Sequence, residues 1–322
     1  MLREKFQLKI GDRKIALGER TLVMGVLNVT PDSFSDGGRY FSPDRAVEHG
    51  LEMARQGADW IDVGGESTRP GSRPVPPEEE LRRVVPVIQA LHKRLPSVPI
   101  SIDTTKAEVA EAAVRAGAAI LNDVSGLRFD AGIAEVARLH RAPLVLMHMR
   151  GRPENMQQKP FAKSLWRAVR DGLERSIRAA LDAGVRRSQL IIDPGLGFGK
   201  SRRQNFEILA GLERLKELHL PVLVGTSRKS FVQAIVGGEG LIPDAKVGPR
   251  LASASGRPKG RPYILFGKGS RERGGLPYLP IGDAAAVAAG ILAGAHIVRV
   301  HDVGAMMPAV RIADAVLNAV IG

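Results

Sequence analysis

The chain has 322 residues, a length that suits one large α/β barrel or two ordinary domains. It contains no cysteine, which excludes disulfides and thiolate metal sites, and no apolar run approaches the ~20 residues of a membrane span. The net charge of +13 leaves open nucleic acid, an anionic membrane surface or a multiply charged small substrate as a partner. The charged N-terminal residues lack an apolar signal core, so we expect a soluble, cytoplasmic protein.

The chain begins with a weakly alternating segment and then alternates strands with helices. Residues 1–20 contain a Gly11-Asp12 turn signal and predict a hairpin that plugs one end of the domain. The predicted strands that follow are 22–27, 59–65, 100–103, 119–124, 144–149, 190–195, 222–225 and 297–301. The predicted helices between and after them are 43–57, one opening at 76–80, 106–117, 131–139, 165–183, 206–218, 229–236, 284–293 and 307–320.

This alternation indicates the fold class. Strict strand–helix alternation predicts a parallel sheet with right-handed crossovers, and eight such units predict a closed (β/α)₈ TIM barrel with an N-terminal hairpin. An open doubly wound sheet is the alternative. The chain has no GxGxxG motif after its first predicted strand, which speaks against a dinucleotide-binding version of that alternative.

Nearly every predicted strand ends in a polar or charged side chain. These residues are Asn28, Asp62, Asp103, Asn122, His148, Asp193, Ser227, Arg228, Lys229, Arg299 and His301. A single such residue is usually a cap or a turn former, and Asp193-Pro194-Gly195 alone could be a tight turn. Because the carboxyl ends of barrel strands meet at one rim, so many of them together predict an active site there.

The residues at these exits divide into two chemical groups. Two carboxylates, an amide and an ammonium form the first: Asp103, Asn122, Asp193 and Lys229. This group suits a flat heterocycle with adjacent N–H donors and acceptors. Two guanidiniums, an imidazole and an amide form the second: Arg69, Arg299, His301 and Asn28. This group suits an anion such as phosphate with a divalent cation, although Arg69 could also be a solvated loop arginine and His301 a satisfied buried histidine.

Several segments resemble the signatures of the dihydropteroate synthase family, in family order. The two longest are 26–38 (VLNVTPDSFSDGG) and 62–71 (DVGGESTRPG). The others are 101–104, 121–124, 146–149, 193–200, 227–230 and 299–302. The resemblance covers about residues 23–303, and it is specific because all of the segments occur together.

The resemblance implies an activity and a set of roles. The family condenses 6-hydroxymethyl-7,8-dihydropterin diphosphate with 4-aminobenzoate, giving 7,8-dihydropteroate and diphosphate in folate biosynthesis. The implied pterin contacts are Asp103, Asn122, Met147, Asp193, Phe198 and Lys229. The implied diphosphate contacts are Asn28, Arg69, Arg299 and His301, and Asn28 would also bind Mg²⁺. The implied 4-aminobenzoate contacts are Phe34, Thr68, Pro70 and Ser230. The catalytic roles would fall to Asp103, Lys229, Arg69, Arg299 and His301.

The residue types agree with the dissociative mechanism of that family. Diphosphate would leave first, with its charge balanced by Mg²⁺ and arginines. The carbocation left on the pterin methylene would be stabilised by carboxylates, especially Asp103, before the amine attacks. No covalent nucleophile is required. The loops 30–41 and 67–75 are rich in Gly, Pro and Ser, and we expect them to be mobile and to close over the second substrate.

One segment departs from the family pattern. Residues 241–281 form a long Gly- and Pro-rich insertion within the barrel domain 21–322, and residues 243–280 carry eight basic and two acidic side chains. We interpret it as a disordered surface insertion, with a basic arm that contacts RNA, an anionic partner or a neighbouring subunit as the alternative. Few aromatic residues are interleaved, so nucleic-acid binding is not favoured. The resemblance also implies a homodimer through the C-terminal helices, which the insertion adjoins.

Two other functions compete with the synthase. A pterin-dependent methyltransferase barrel would share the pterin-binding residues but would not need Arg69, Arg299 and His301. A catalytically silent binding protein would act through the basic segment, although the presence of all the matched site residues argues against it.

Overall fold

The computed structural model describes residues 3–30, 43–68, 71–156, 164–237 and 280–319. Strands β1 (Phe6–Ile10) and β2 (Arg13–Leu17) pair antiparallel and form the predicted hairpin. The eight strands that follow are β3 (Leu22–Asn28), β4 (Trp60–Gly64), β5 (Ile100–Asp103), β6 (Ile120–Asp123), β7 (Leu144–Met147), β8 (Leu190–Asp193), β9 (Leu223–Gly225) and β10 (Ile297–Val300).

The described α-helices lie between and after these strands, and two of them fall between β9 and β10. They are α1 (Pro43–Arg55), α2 (Pro77–Arg94), α3 (Ala107–Arg115), α4 (Gly132–His140), α5 (Leu165–Asp182), α6 (Arg202–Ala210), α7 (Ser230–Val236), α8 (Pro280–Leu292) and α9 (Val303–Ala319). None of the helices within the described ranges is both long and apolar enough to cross a membrane.

The eight strands form one parallel sheet that closes on itself. Their order is β8-β7-β6-β5-β4-β3-β10-β9, and a parallel bridge between Ile192 and Val222 joins the two ends. The predicted (β/α)₈ barrel with an N-terminal hairpin is therefore confirmed, and the open-sheet alternative is wrong. The strands are buried apolar runs, which agrees with a parallel sheet whose two faces are both covered.

The inside of the barrel has an apolar floor. Seven of the eight barrel strands contribute to it, together with Leu8, Ile10 and Leu17 of the hairpin. The strand residues are Leu22, Met24, Trp60, Ile120, Val145, Ile191, Leu223 and Ile297. A second apolar core lies between the strands and the helices. The hairpin therefore closes the barrel at the amino ends of the strands, as predicted.

Strand periodicity places a polar layer directly above this floor. Successive side chains of a strand point to opposite faces, so the next inward residue lies two positions further along. The residues two positions beyond the floor are Val26, Asp62, Asn122, Met147, Asp193, Gly225 and Arg299. Four of the seven are polar or charged, so the chemistry of the barrel begins one layer above its apolar core.

Three of the predicted helix starts were wrong, because α6, α8 and α9 begin at residues 202, 280 and 303 and not at 206, 284 and 307. The predicted helix 206–218 is α6 followed by a 3₁₀ helix, Leu212–Leu218. The α-helix begins earlier because Ser201 and Gln204 cap each other, and Gly211 separates the two helices. Helix α8 begins at Pro280, so the last two positions of the predicted insertion are helical, and residues 238–279 lie outside the described residues.

The third boundary concerns the last helix. Helix α9 begins at Val303 and contains Pro308, whereas the sequence predicted a start at 307. The side chain of Asp302 accepts a hydrogen bond from the Ala305 backbone N–H at 3.0 Å, which caps the helix at this earlier position.

Candidate active site

Four of the neighbouring strand ends form a continuous row at the carboxyl rim. Asn28 is the register partner of Gly64, Gly64 of Asp103, and Asp103 of Asn122. Gly64 lies directly beside the Asp103 side chain, since a Cβ atom at this position would make an ordinary contact of 3.5 Å with the Cβ of Asp103. Asp103 and Asn122 are buried, whereas Asn28 is half-buried. The structure thus brings the predicted cation ligand and two of the predicted heterocycle contacts to adjacent strands.

Arg299 joins both predicted groups through a carboxylate that the sequence analysis left without a role. Its Nε donates to Asp62 Oδ2 at 2.6 Å, and its Nη2 donates to Asp103 Oδ2 at 2.6 Å. Asn122 Nδ2 donates to the same Asp62 oxygen at 2.9 Å. Sequence analysis placed Asp62 at the rim but gave it no role, although it lies in the inward layer, two positions after Trp60.

The guanidinium and the two carboxylates determine the charge at this side of the rim. Burial raises the pKa of Asp103 to about 7, Arg299 opposes that rise, and Asp62 adds to it. Burial lowers the pKa of Arg299, but the two carboxylates outweigh burial and the net pKa is raised. Arg299 therefore stays charged. With both carboxylates ionised, this group of one guanidinium and two carboxylates would carry a net charge of −1.

The opposite side of the rim holds a carboxylate beside aromatic and thioether groups. Asp193 is the register partner of Met147, and its Oδ1 accepts a hydrogen bond from the Gly195 N–H at 2.6 Å. Met147 and Phe198 pack in one small apolar cluster. The Lys229 ammonium lies 4.4 Å from the centroid of the Phe198 ring. A flat ligand here would have apolar side chains against its faces and charged groups at its edges.

Burial also governs Asp193. It raises the pKa of Asp193 to about 6, while the Gly195 N–H, Lys229, Lys200 and Arg299 oppose the rise. Asp193 therefore lies within electrostatic range of both Lys229 and Arg299, which belong to different predicted groups.

The turn at Gly195 allows the steric crowding on this side of the rim to be tested. Gly195 has φ +69°, and a Cβ atom there would lie 2.0 Å from the His148 carbonyl oxygen. We expect Gly195→Ala to cost more than about 3 kcal/mol in the free energy of unfolding and to weaken pterin binding. Gly71→Ala is the matched control, because Gly71 has φ +83° with open space around it, and it should cost only about 1–2 kcal/mol. Urea unfolding measures both; equal losses would contradict the crowding argument.

A buried carboxylate organises the ends of β9 and β10. Ser227 Oγ donates to Asp283 Oδ2 at 3.0 Å, and the Arg228 N–H donates to the same oxygen at 2.7 Å. His301 Nδ1 lies 3.3 Å from Ser227 Oγ. Asp283 is fully buried on α8 and holds the turn that leads to Lys229 and the exposed Ser230. Sequence analysis missed Asp283, because nothing in its local pattern distinguishes it from a surface aspartate.

The loop after β4 is held by ion pairs. Lys106 Nζ lies 2.5 Å from Glu66 Oε2 and 2.5 Å from Glu80 Oε2. The same Glu66 oxygen accepts the Val75 N–H at 3.1 Å, which closes the neck of the loop. Half-buried Thr68 lies within it and lines a cavity of about 280 Å³ that also reaches Lys106. Of the predicted site residues, Phe34, Arg69 and Pro70 lie outside the described residues, as do residues 31–41 of the first predicted loop.

Comparisons with known proteins agree with this geometry. The sequence model of the pterin binding enzyme family matches residues 24–257, more than half of the chain. The chain is 42% identical to dihydropteroate synthase of Synechocystis sp. over 308 residues, which cover 96% of this chain and 94% of that one. It is 49% identical to dihydropteroate synthase of Clostridium beijerinckii over 225 residues, covering 70% of this chain and 81% of that one.

Solved structures give the same result. Dihydropteroate synthase of Xanthomonas albilineans with 4-aminobenzoic acid superposes with a TM-score of 0.78 at 40% identity, covering 97% of this chain and 98% of that one. The same enzyme in complex with 7,8-dihydropteroate gives a TM-score of 0.75 at 39% identity, covering 96% and 98%. The fold and rim therefore define a barrel of the pterin binding class. Within that class, the chain belongs to the dihydropteroate synthase family.

Proposed function

We propose that this protein joins 6-hydroxymethyl-7,8-dihydropterin diphosphate to 4-aminobenzoate and releases 7,8-dihydropteroate and diphosphate, in folate biosynthesis and in the cytoplasm. The observation that carries the proposal is a single rim at which Arg299 donates to Asp103, Asp103 pairs in register with Asn122, and Asp193 lies within electrostatic range of both Arg299 and Lys229. The relatives named dihydropteroate synthase, one of them solved with 4-aminobenzoic acid and with 7,8-dihydropteroate, support the same reaction.

The heterocycle end of the substrate fits the buried side of the mouth. A pterin presents adjacent ring N–H and amino groups, which match the two oxygens of the ionised Asp193. Asn122 and Asp103 offer further polar contacts, and Lys229 can donate to a ring acceptor. Met147 and Phe198 would cover the faces of the ring.

The leaving group fits the more open side of the mouth. Asn28 and His301 are half-buried there, and Arg69 belongs to the predicted diphosphate set although it lies outside the described residues. The amide oxygen of Asn28 is a hard donor of the kind that Mg²⁺ accepts beside substrate phosphates, so Asn28 would hold the ion. When bound, Mg²⁺ would neutralise charge on the departing diphosphate.

Positive charge at this end cannot come from Arg299 alone. Its guanidinium donates to two carboxylates, Asp62 and Asp103, at 2.6 Å each. We therefore assign it two tasks: it attracts the diphosphate, and it fixes Asp103 against the methylene carbon of the pterin. Once the C–O bond to diphosphate breaks, the Asp103 carboxylate stabilises the positive charge on that carbon. The amine of 4-aminobenzoate, bound near Thr68 and Ser230 with Phe34 and Pro70, then attacks it.

Product formation tests the proposal directly. Purified protein is incubated with the pterin diphosphate and 4-aminobenzoate, with and without Mg²⁺, and 7,8-dihydropteroate is followed by chromatography. We expect product only when both substrates are present, and faster turnover with Mg²⁺. Methyl transfer from methyltetrahydrofolate to a corrinoid acceptor, with no dihydropteroate formed, would instead establish the methyltransferase alternative. Pterin binding without either product would establish the binding-protein alternative.

The C-terminal helices support a homodimer as part of the proposal. Ile281 and Leu292 on α8, and Ile312 and Val316 on α9, are exposed apolar residues, and Ile312 is 68% exposed. Residues 312 and 316 share one face of the helix because they are four positions apart. Such a patch is typical of a protein–protein interface.

A charge placed in this patch should separate the subunits. We expect Ile312→Glu to halve the molar mass measured by size-exclusion chromatography with light scattering, because an unpaired carboxylate would be buried at the interface. Leu139→Glu is the matched control, since Leu139 is 59% exposed on α4, and it should leave the mass unchanged. An unchanged mass for both variants would locate the interface elsewhere or leave the protein monomeric.

A further inference from the structure

The loop after β8 is built around a buried lysine that has no role in the proposed reaction so far. Lys200 is 2% exposed. Its Nζ donates to the carbonyl oxygens of Gly195 at 2.7 Å, Phe198 at 3.1 Å and His148 at 3.2 Å. Two of these carbonyls belong to the loop itself and the third to the end of β7. One ammonium thus joins two neighbouring strand exits below the mouth of the barrel.

The lysine stabilises a loop that has few side chains of its own to pack. Gly195, Gly197 and Gly199 all have positive φ, so the backbone turns sharply at these positions and has no side chain there to pack. An ammonium carries three N–H donors, and three buried carbonyl oxygens accept them. The Asn205 side chain adds a second support, since its Oδ1 accepts the Gly197 N–H at 2.7 Å. Phe198 is held between these supports.

The charges around Lys200 connect it to Asp193. Burial lowers the pKa of Lys200 to about 7, the Asp193 carboxylate raises it, and Lys229 lowers it. In return, Lys200 lowers the pKa of Asp193, as Lys229 and Arg299 also do. Burial lowers the pKa of the His148 imidazole most, and the nearby charges of Lys200, Arg128 and Arg175 lower it further. The His148 ring is therefore neutral and adds no positive charge near Asp193. Lys200 acts on Asp193 from a fixed position, since three backbone carbonyl oxygens hold its ammonium.

We propose that Lys200 is a positioning residue for pterin binding, which fixes the Phe198 ring and the turn at Gly195 whose N–H holds the Asp193 carboxylate. Lys200 acts through these two residues and does not contact the substrate. This inference rests on the proposed function, because Asp193 and Phe198 matter only if a pterin binds between them. It predicts that loss of the lysine changes the pH dependence of pterin binding and not only its strength.

The test measures pterin affinity against pH by calorimetry, with 6-hydroxymethylpterin as the probe. In the unmodified protein, affinity should fall as pH decreases through about 6, because Asp193 becomes protonated and loses an acceptor. We expect Lys200→Met to bind at least about tenfold more weakly at neutral pH and to shift the midpoint of this fall upward by about one pH unit. Lys200→Arg keeps the charge but not the geometry, so it should lose affinity without that shift.

The controls separate this proposal from a general loss of structure. Lys14→Met, on the exposed hairpin at the opposite end of the barrel, should change neither affinity nor midpoint. If Lys200→Met does not fold, Lys200→Gln, which retains two N–H donors, gives the same measurement. Weaker binding with an unmoved midpoint in a folded, uncharged variant would overturn the proposal. Failure of the unmodified protein to bind the probe would instead count against the proposed function.

Discussion

Replacing Asp193 with Asn is expected to abolish pterin binding and, at the same time, to stabilise the folded protein at about pH 8. The carboxylate is buried and its pKa is raised to about 6, against 3.8 for an unperturbed aspartate. Its ionised form therefore costs up to about 3 kcal/mol in the folded state. An amide avoids this cost but cannot accept two N–H bonds from a pterin, so affinity should fall by at least about a hundredfold.

The sign of the pH dependence follows from the two protonation states. A carboxyl group with a raised pKa in the folded state favours folding at low pH, and this contribution is lost as pH rises from about 4 through about 6. The stability gain of Asp193→Asn should therefore be largest above pH 6 and should vanish below about pH 4. Urea unfolding across this range measures it, with exposed Asp12→Asn as the control that changes neither quantity. A variant that still binds pterin with unchanged affinity would refute the assignment of Asp193.

Removing the guanidinium of Arg299 should have the largest effect on both stability and turnover. Arg299→Ala leaves Asp62 and Asp103 as neighbouring buried carboxylates without their cation. Loss of one partner of a buried ion pair typically costs about 3–5 kcal/mol, and we expect this range in the free energy of unfolding. Turnover should fall by at least about a thousandfold, chiefly through slower departure of diphosphate, because Asp103 is displaced and the anion loses a cation.

A surface ion pair provides the matched control for Arg299. Arg20 pairs with Asp59 at 2.5 Å, but its side chain is 59% exposed, so Arg20→Ala should cost no more than about 1 kcal/mol. Thermal unfolding and initial rates of diphosphate release measure the two variants side by side. Partial recovery of Arg299→Ala stability at low pH, as the carboxylates become protonated, would support the mechanism. Equal losses in both variants would contradict the central position of Arg299 between the carboxylates.

Most of the fold could be predicted from local patterns. Eight apolar runs separated by amphipathic segments indicated the barrel, and the turn at Gly11 indicated the hairpin. The polar strand exits also predicted the rim, because parallel strands bring their carboxyl ends together whatever lies between them. The error at α6 came from reading apolar spacing through Gly211, where the capping pair Ser201 and Gln204 decides the boundary.

The contacts between distant parts of the chain could not be predicted in the same way. Arg299 and Asp62 are 237 positions apart, and Ser227 and Asp283 are 56 positions apart. Local periodicity shows that Asp62 faces inward, but the partner it meets depends on how strands β3 to β10 close the barrel. Asp283 lies on an apolar helix and is recognised only when α8 packs beneath the turn at Arg228.

The apolar floor and its hairpin have a consequence for the order of events. Since the barrel is sealed below by Leu8, Leu17 and the inward strand residues, the pterin must enter from the rim and lies deepest when bound. Under the proposed reaction, the second reactant would occupy the outer part of the same passage. Such an arrangement would favour sequential binding, and a compound held in the outer position would trap the inner ligand. Inhibitors that resemble 4-aminobenzoate should therefore prolong the residence time of whatever lies beneath them.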